Sequence, residues 1–195
     1  MAQMNVGVQG KAARALCFAL ALSLAACAQP TRETFDLAGL AAARIAPTGG
    51  PALSVKEPSA VTPTSTDRVV VRDLDGSVSV LPGVQWSERL PGLLQNRLIG
   101  ALQRAGVSAD KISLGGNRTL ATDIRRFEID VAHNVAVVEI AARIVDDASG
   151  ATRAAQTFTA ETPAPEHTGA QAVHALKAAA AEALSRMAGW ARGRL

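Results

Sequence analysis

The sequence predicts an α+β domain, a mainly antiparallel sheet of about five to six strands with two helices packed on one face. Three observations carry this. Two β-branched runs, Arg68 to Leu74 and Ser77 to Leu81, flank Asp75-Gly76, a dipeptide suited to a type I′ hairpin turn because both its residues tolerate positive φ. Three alternating segments joined by tight turns fill residues 119–162, the pattern of a meander. Apolar stripes at helical spacing precede and follow that meander, at residues 90–105 and 173–191.

The domain is preceded by a short greasy segment. Lys11 and Arg14 supply a positive flank, Ala15 to Ala26 is uncharged and apolar apart from Ser23, and Leu24-Ala25-Ala26 runs into Cys27. Basic region, apolar region and small residues in that order make a secretory signal. The apolar run is shorter than the roughly 20 residues a spanning helix needs. Small residues before a cysteine resemble a bacterial lipobox, which implies cleavage of residues 1–26 and lipidation of Cys27. An ordinary signal peptide with an incidental cysteine, or a buried apolar helix, is the competing reading. A lipoprotein cysteine carries two or three acyl chains, and at about 0.8 kcal/mol per buried CH₂ two chains hold where one exchanges. Ala28 stands where an aspartate would retain the protein in the inner membrane, so the expected location is the outer membrane, facing the periplasm.

Cleavage leaves 169 residues, enough for one domain with a real core. The precursor carries +3 and loses Lys11 and Arg14 with no acid, so the mature chain is near +1. Its charges are interspersed, and nucleic acid is not an expected partner. Cys17 leaves with the signal, and Cys27 is then the sole cysteine. That rules out an internal disulfide, a thiol nucleophile and a cysteine metal site. Tyrosine is absent, and only Phe35, Phe127, Phe158, Trp86 and Trp190 remain as aromatics, too few for an aromatic sugar cleft.

Residues 27–50 read as a tether, interrupted by Pro30, Pro47, Gly49 and Gly50. Phe35-Asp36-Leu37 stands out within it, either as a clip that docks on the domain or as part of a mobile arm. The domain proper runs over 51–195. Leu53 to Lys56 alternates as a first strand that Pro58 ends, and the hairpin around Asp75-Gly76 follows. Ser87 caps the next helix, with Glu88 in the first turn and Pro91 near the start. Its stripe is Leu90, Leu93, Leu94, Leu98, Ala101, Leu102 and Ala105, with Gln95, Arg97 and Gln103 off it, and Gly106 supplies the stop. Between Thr119 and Val131 the alternation changes phase, from Leu120, Thr122 and Ile124 to Phe127, Ile129 and Val131. A bulge at Arg125-Arg126 keeps all six inward. His133-Asn134 and Ser149-Gly150 turn the chain into two further strands. Thr168 and Gln171 have capping-box spacing before the closing helix, whose stripe is Val173, Leu176, Ala180, Leu184, Met187 and Trp190 or Ala191.

Candidate chemistry is sparse. His133, His167 and His174 have no metal-binding spacing. Asp73/Asp75 and Asp146/Asp147 lie at turns, where aspartate bonds its own backbone. Gly115-Gly116 lacks a preceding strand and a following Lys-Ser/Thr, and no G-x-S-x-G elbow occurs. The reading is a non-enzyme without cofactor or metal. Trp86, just before a helix, is a core plug or an interface anchor. Partner contact falls to Phe35, Leu37, Asp75, Gly76 and Trp86.

Taken in order, several segments resemble the ABC-type transport auxiliary lipoproteins. These are the lipobox, Phe35-Asp36-Leu37, Arg68-Val69-Val70-Val71-Arg72, Gly83 to Pro91 (GVQWSERLP), Asp123-Ile124-Arg125-Arg126-Phe127 and Trp190. Phe35 departs from the tyrosine expected there. The resemblance implies a docking or adaptor protein of a phospholipid transport system, partnered by an MCE-domain protein and an ABC permease and ATPase. It further implies a homo-oligomeric ring. The alternative is a free-standing lipoprotein that holds a small apolar ligand between sheet and helices.

Overall fold

The meander is the spine of the molecule. The computed structural model describes residues 31–37, 52–112 and 116–195; the signal, Cys27, most of the tether and Gly115 lie outside the described residues. The strands are β1 (Glu33–Phe35), β2 (Ala52–Val55), β3 (Val70–Arg72), β4 (Val78–Val80), β5 (Val84–Trp86), β6 (Ser108–Asp110), β7 (Arg118–Asp130), β8 (Val135–Asp146) and β9 (Thr152–Pro163). The helices are α1 (Leu90–Arg104) and α2 (Gly169–Arg192).

β7, β8 and β9 pair antiparallel along their lengths. The register slips between Ile124 and Arg126, where Arg125 is the extra residue. That is the bulge the change of phase predicts, and Leu120, Ile124, Phe127 and Ile129 are all buried as a result. The other edge of β7 is shared. β2 pairs with its start at Thr119 and Leu120, Ser59 bridges Asp123, and β3 pairs with its end at Glu128 to Asp130. β6 adds outside β2, and β4 outside β3.

The fold class is α+β as expected, but the sheet has seven strands and is mixed. β2–β7, β2–β6 and β3–β7 are parallel. Alternation in sequence gives a strand's faces and is silent on the direction of its neighbours. β6 was also invisible, because three residues are too few for a period to show. β1 and β5 form a separate parallel pair.

The hairpin is present with a different turn. Asp73 N–H donates to Ser77 C=O and Gly76 N–H to Asp73 C=O, both at 2.9 Å, and Gly76 alone takes positive φ, 83°. This is a three-residue loop with a left-handed glycine closing it, not a type I′ turn. The first helix also begins later than predicted. Its N-cap is Arg89, without a side-chain cap, and Pro91 is the second helical residue. Ser87 stays outside the helix, its N–H donating to Phe35 C=O, and the orphan N–H of Leu90 goes to Thr66 C=O. At the other end Gly106, φ 87°, makes a Schellman stop: Gly106 N–H bonds Gln103 C=O and Val107 N–H bonds Leu102 C=O. Thr168 is the N-cap of α2, but its hydroxyl makes no bond to the first turn.

α1 is pinned to its neighbours by two amides assigned to its polar face. Gln95 is buried and donates to Val55 C=O at 2.9 Å, while Gln103 donates to Ala109 C=O at 2.9 Å. α2 lies across β7, β8 and β9 and against α1. Its alanines 172, 179, 183 and 188 are buried beside Leu176, Leu184 and Met187, so the helix sits close to the strands. Trp190, half-buried, meets Phe158 edge-on at 5.6 Å. β9 is an edge strand, and Arg186 of α2 donates to its Thr159 C=O at 2.8 Å.

Candidate functional site

The segment nearest Cys27 in the described chain is the clip. Glu33 N–H donates to Gly83 C=O at 2.8 Å, Ser87 N–H to Phe35 C=O at 2.7 Å, and the Gln85 amide to the Thr34 hydroxyl at 3.3 Å. The Phe35 ring stands edge-on to His174 at 6.2 Å. Arg97 of α1 grips the Asp36 carboxylate, and Leu37 is buried. Of the two readings of Phe35-Asp36-Leu37, the structure has the docked one.

This placement corrects two predicted contacts. Leu37 and Trp86 are 3% and 1% exposed, so with the clip docked neither side chain is presented to a partner. Trp86 is buried in the core and packs edge-on against Phe127 at 5.8 Å. Phe35 is half-buried. Asp75 and Gly76 are exposed at the hairpin tip, where Asp75 accepts Ser77 N–H at 2.9 Å. Bonds from Ser77 hold that carboxyl below the usual range. The clip and the hairpin loop are thus two places, not one site.

Sequence reading missed what surrounds the loop. Leu74 is 77% exposed at the tip, and Val78 and Val80 are exposed on β4, whose outer edge is unpaired among the described strands. Behind them is a charged brace on the sheet face away from the helices. Arg72 makes a two-pronged bond to Glu128, Nε–Oε1 2.9 Å and Nη2–Oε2 3.0 Å, and reaches the Gly76 carbonyl at 3.2 Å. Arg126 bonds Glu128 at 2.7 Å and Asp130 at 2.8 Å. His133 Nδ1 lies 2.9 Å from Asp130. The bond to Glu128 raises the pKa of Arg72. Burial pushes the Asp130 carboxyl up, but bonds from His133 and Arg126 outweigh it and leave the pKa lowered. The signal was legible: Arg126, Glu128 and Asp130 alternate with Phe127 and Ile129, so the charges share one face.

The remaining polar groups are occupied locally. Asp146 accepts Ser149 N–H, the Ser149 hydroxyl and Arg153, and these bonds hold it far below the carboxylate range. A depression of about 340 Å³ on the open sheet face is floored by Ala121, Ala141 and Ala155. At its border Asp123 takes the Ser59 hydroxyl, and Arg125 is shared between Asp123 and Glu139. The Ser59 hydroxyl and the Asp123 carboxylate meet there at 2.8 Å, and no histidine is among the described residues that line the depression. Among the described residues no three His, Cys, Asp or Glu side chains gather as metal ligands, and no helix is long and apolar enough to cross a membrane.

The profile of a family described as the ABC-type transport auxiliary lipoprotein component matches residues 35–188, from the clip to the last turns of α2. The chain belongs to that family. This auxiliary lipoprotein is therefore a transport component, and its family is not one of enzymes. A crystal structure of a Xanthomonas campestris protein placed in family DUF330 shares its fold: TM-score 0.69, 23% identity, covering 83% of this chain and 96% of that one. A crystal structure of an uncharacterized protein gives TM-score 0.66 at 17% identity, covering 81% and 97%. No curated protein matches the auxiliary lipoprotein.

Proposed function

We propose that this auxiliary lipoprotein is anchored by acyl chains on Cys27 to the periplasmic leaflet of the outer membrane. There it serves as the docking component of an ABC/MCE system that moves phospholipid between membranes. The observation that carries this is the family match across the whole folded domain. The hairpin loop, with Asp75 and Gly76 beside exposed Leu74, Val78 and Val80, is the partner contact this reading favours. Copies join in a ring at the end of the partner's tunnel.

The carrier alternative draws less support. The layer between sheet and helices is filled by Leu98, Leu102, Leu120, Ile144, Leu176 and Leu184, each 1% exposed or less.

The test has two parts. Intact mass of the mature protein should show Cys27 as the N-terminus with acyl chains, and Cys27→Ala should leave the membrane fraction. Crosslinking in mild detergent should then join the hairpin to an MCE-domain protein, and Leu74→Asp should abolish that product. An unmodified Cys27, or a crosslink that Leu74→Asp leaves unchanged, overturns the corresponding half.

A further inference from the structure

The clip fixes how far the domain can stand from its anchor. Five residues separate Cys27 from Glu33, six Cα–Cα steps that span at most about 22 Å at full extension. If β1 comes away, the first strand still fixed in the main sheet is β2, starting at Ala52. The same chain then reaches about 90 Å from Cys27 to Ala52. One short strand thus selects between a domain held against the bilayer and one free to range far from it.

Among the described residues, little holds the clip. β1 has three residues, pairs along one edge only among the described strands, and pairs with a strand that is itself outside the seven-stranded sheet. Its side-chain fastenings are Phe35 on His174, the Gln85 amide on the Thr34 hydroxyl at 3.3 Å, Asp36 on Arg97 and the burial of Leu37. The ion pair is half made. Arg97 Nη2 meets Asp36 Oδ2, yet Arg97 Nε and Asp36 Oδ1 are both buried without a hydrogen-bond partner, each at a desolvation cost. Few buried apolar contacts and polar groups left unsatisfied mark a segment that opens locally while the rest stays folded.

We propose that the clip is a two-length tether: docked at rest it keeps the domain against the membrane, and its release lets the domain reach a partner farther away. This rests on the reading of Cys27 as the lipid anchor. Release leaves the seven-stranded sheet intact, because neither β1 nor β5 belongs to it.

The test uses the full protein, processed in its host and reconstituted in phosphatidylcholine vesicles with a little dansyl-phosphatidylethanolamine. Trp86 and Trp190 are the native donors. Thr34 and Gln85 are register partners, and Cys27 is the sole mature cysteine, so a T34C/Q85C disulfide locks the clip without competing pairs. Energy transfer should be highest in the oxidised T34C/Q85C protein and several-fold lower in F35A/D36A, with circular dichroism unchanged. Hydrogen exchange on the lipid-free domain gives a second readout. The amides of Glu33 and Ser87 should exchange about 100-fold faster than those of central β7 and β8, as expected of a sub-global opening. Equal transfer from the locked and F35A/D36A proteins overturns the tether, as does clip exchange at the core rate. An unmodified Cys27 in the mass spectrum sinks the anchoring reading alone, because the exchange result stands without it.

Discussion

Glu128 and Asp130 are 4% and 5% exposed, although they sit on the sheet face turned away from the helices. Long arginine side chains cover them, and their charges are answered by Arg72, Arg126 and His133. Removing an acid leaves guanidinium groups facing one another. Glu128→Gln should therefore lower stability by about 1–3 kcal/mol, below the cost of a fully buried pair because both arginines keep about a third of their surface in water. Urea unfolding measures this. The pH dependence has a definite sign. Asp130 has a lowered pKa in the folded state, so its contribution is complete above the unfolded carboxyl pKa and is lost as pH falls through the folded value. The stability gap between wild type and Asp130→Asn should shrink as pH falls below about 4. A gap that widens over that range would contradict the assignment. The alternation of Arg126, Glu128 and Asp130 placed these charges on one face in the sequence alone. Their burial was not legible there, since it depends on β3 arriving alongside β7.

At the scale of the element, the bulge and the helix stop make the sharpest tests. Arg125 is the extra residue that lets both halves of β7 face inward. Deleting it should turn Phe127 and Ile129 outward or Leu120 and Ile124 outward, since a one-residue slip exchanges the faces. The expected result is insoluble protein, read as loss of the soluble fraction. Gly106→Ala is gentler. No atom crowds the added methyl, so the cost is that of φ 87° alone, about 1 kcal/mol. Elements with a strong local pattern were readable: the bulge, the hairpin, both stripes and the glycine stop. Helix starts were read unevenly: Thr168 is the N-cap of α2 as its position predicts, whereas α1 begins later than predicted. Ser87 looks like a cap in sequence, but its N–H belongs to the clip, a contact 52 residues away in the chain.

The whole molecule is tied together by pairings distant in sequence. β2 and β3 lie parallel to β7, which begins more than 45 residues later. Such a topology closes large loops before contacts compensate, so folding should be slow for the size, in the milliseconds-to-seconds range. Stopped-flow refolding followed by tryptophan fluorescence checks this, and microsecond refolding would contradict it. The parallel pairing was the part of the fold least accessible to sequence reading. Periodicity says which side chains face in, and only the assembled sheet says which strands are neighbours. The same holds for the candidate site: Asp75 and Gly76 were visible as a turn, while the exposed valines beside them read as ordinary strand.

Arg186 has a consequence for life in a crowd. Bonds at even positions of β9 face β8, as Ala164 N–H to Asn134 C=O shows, leaving the odd positions along the open edge. Arg186 occupies the carbonyl of one of them, Thr159, and Pro163 has no N–H to offer. Twelve unguarded residues along an open edge would invite fibril growth. One guanidinium and one ring interrupt the row of groups that a stray strand would need.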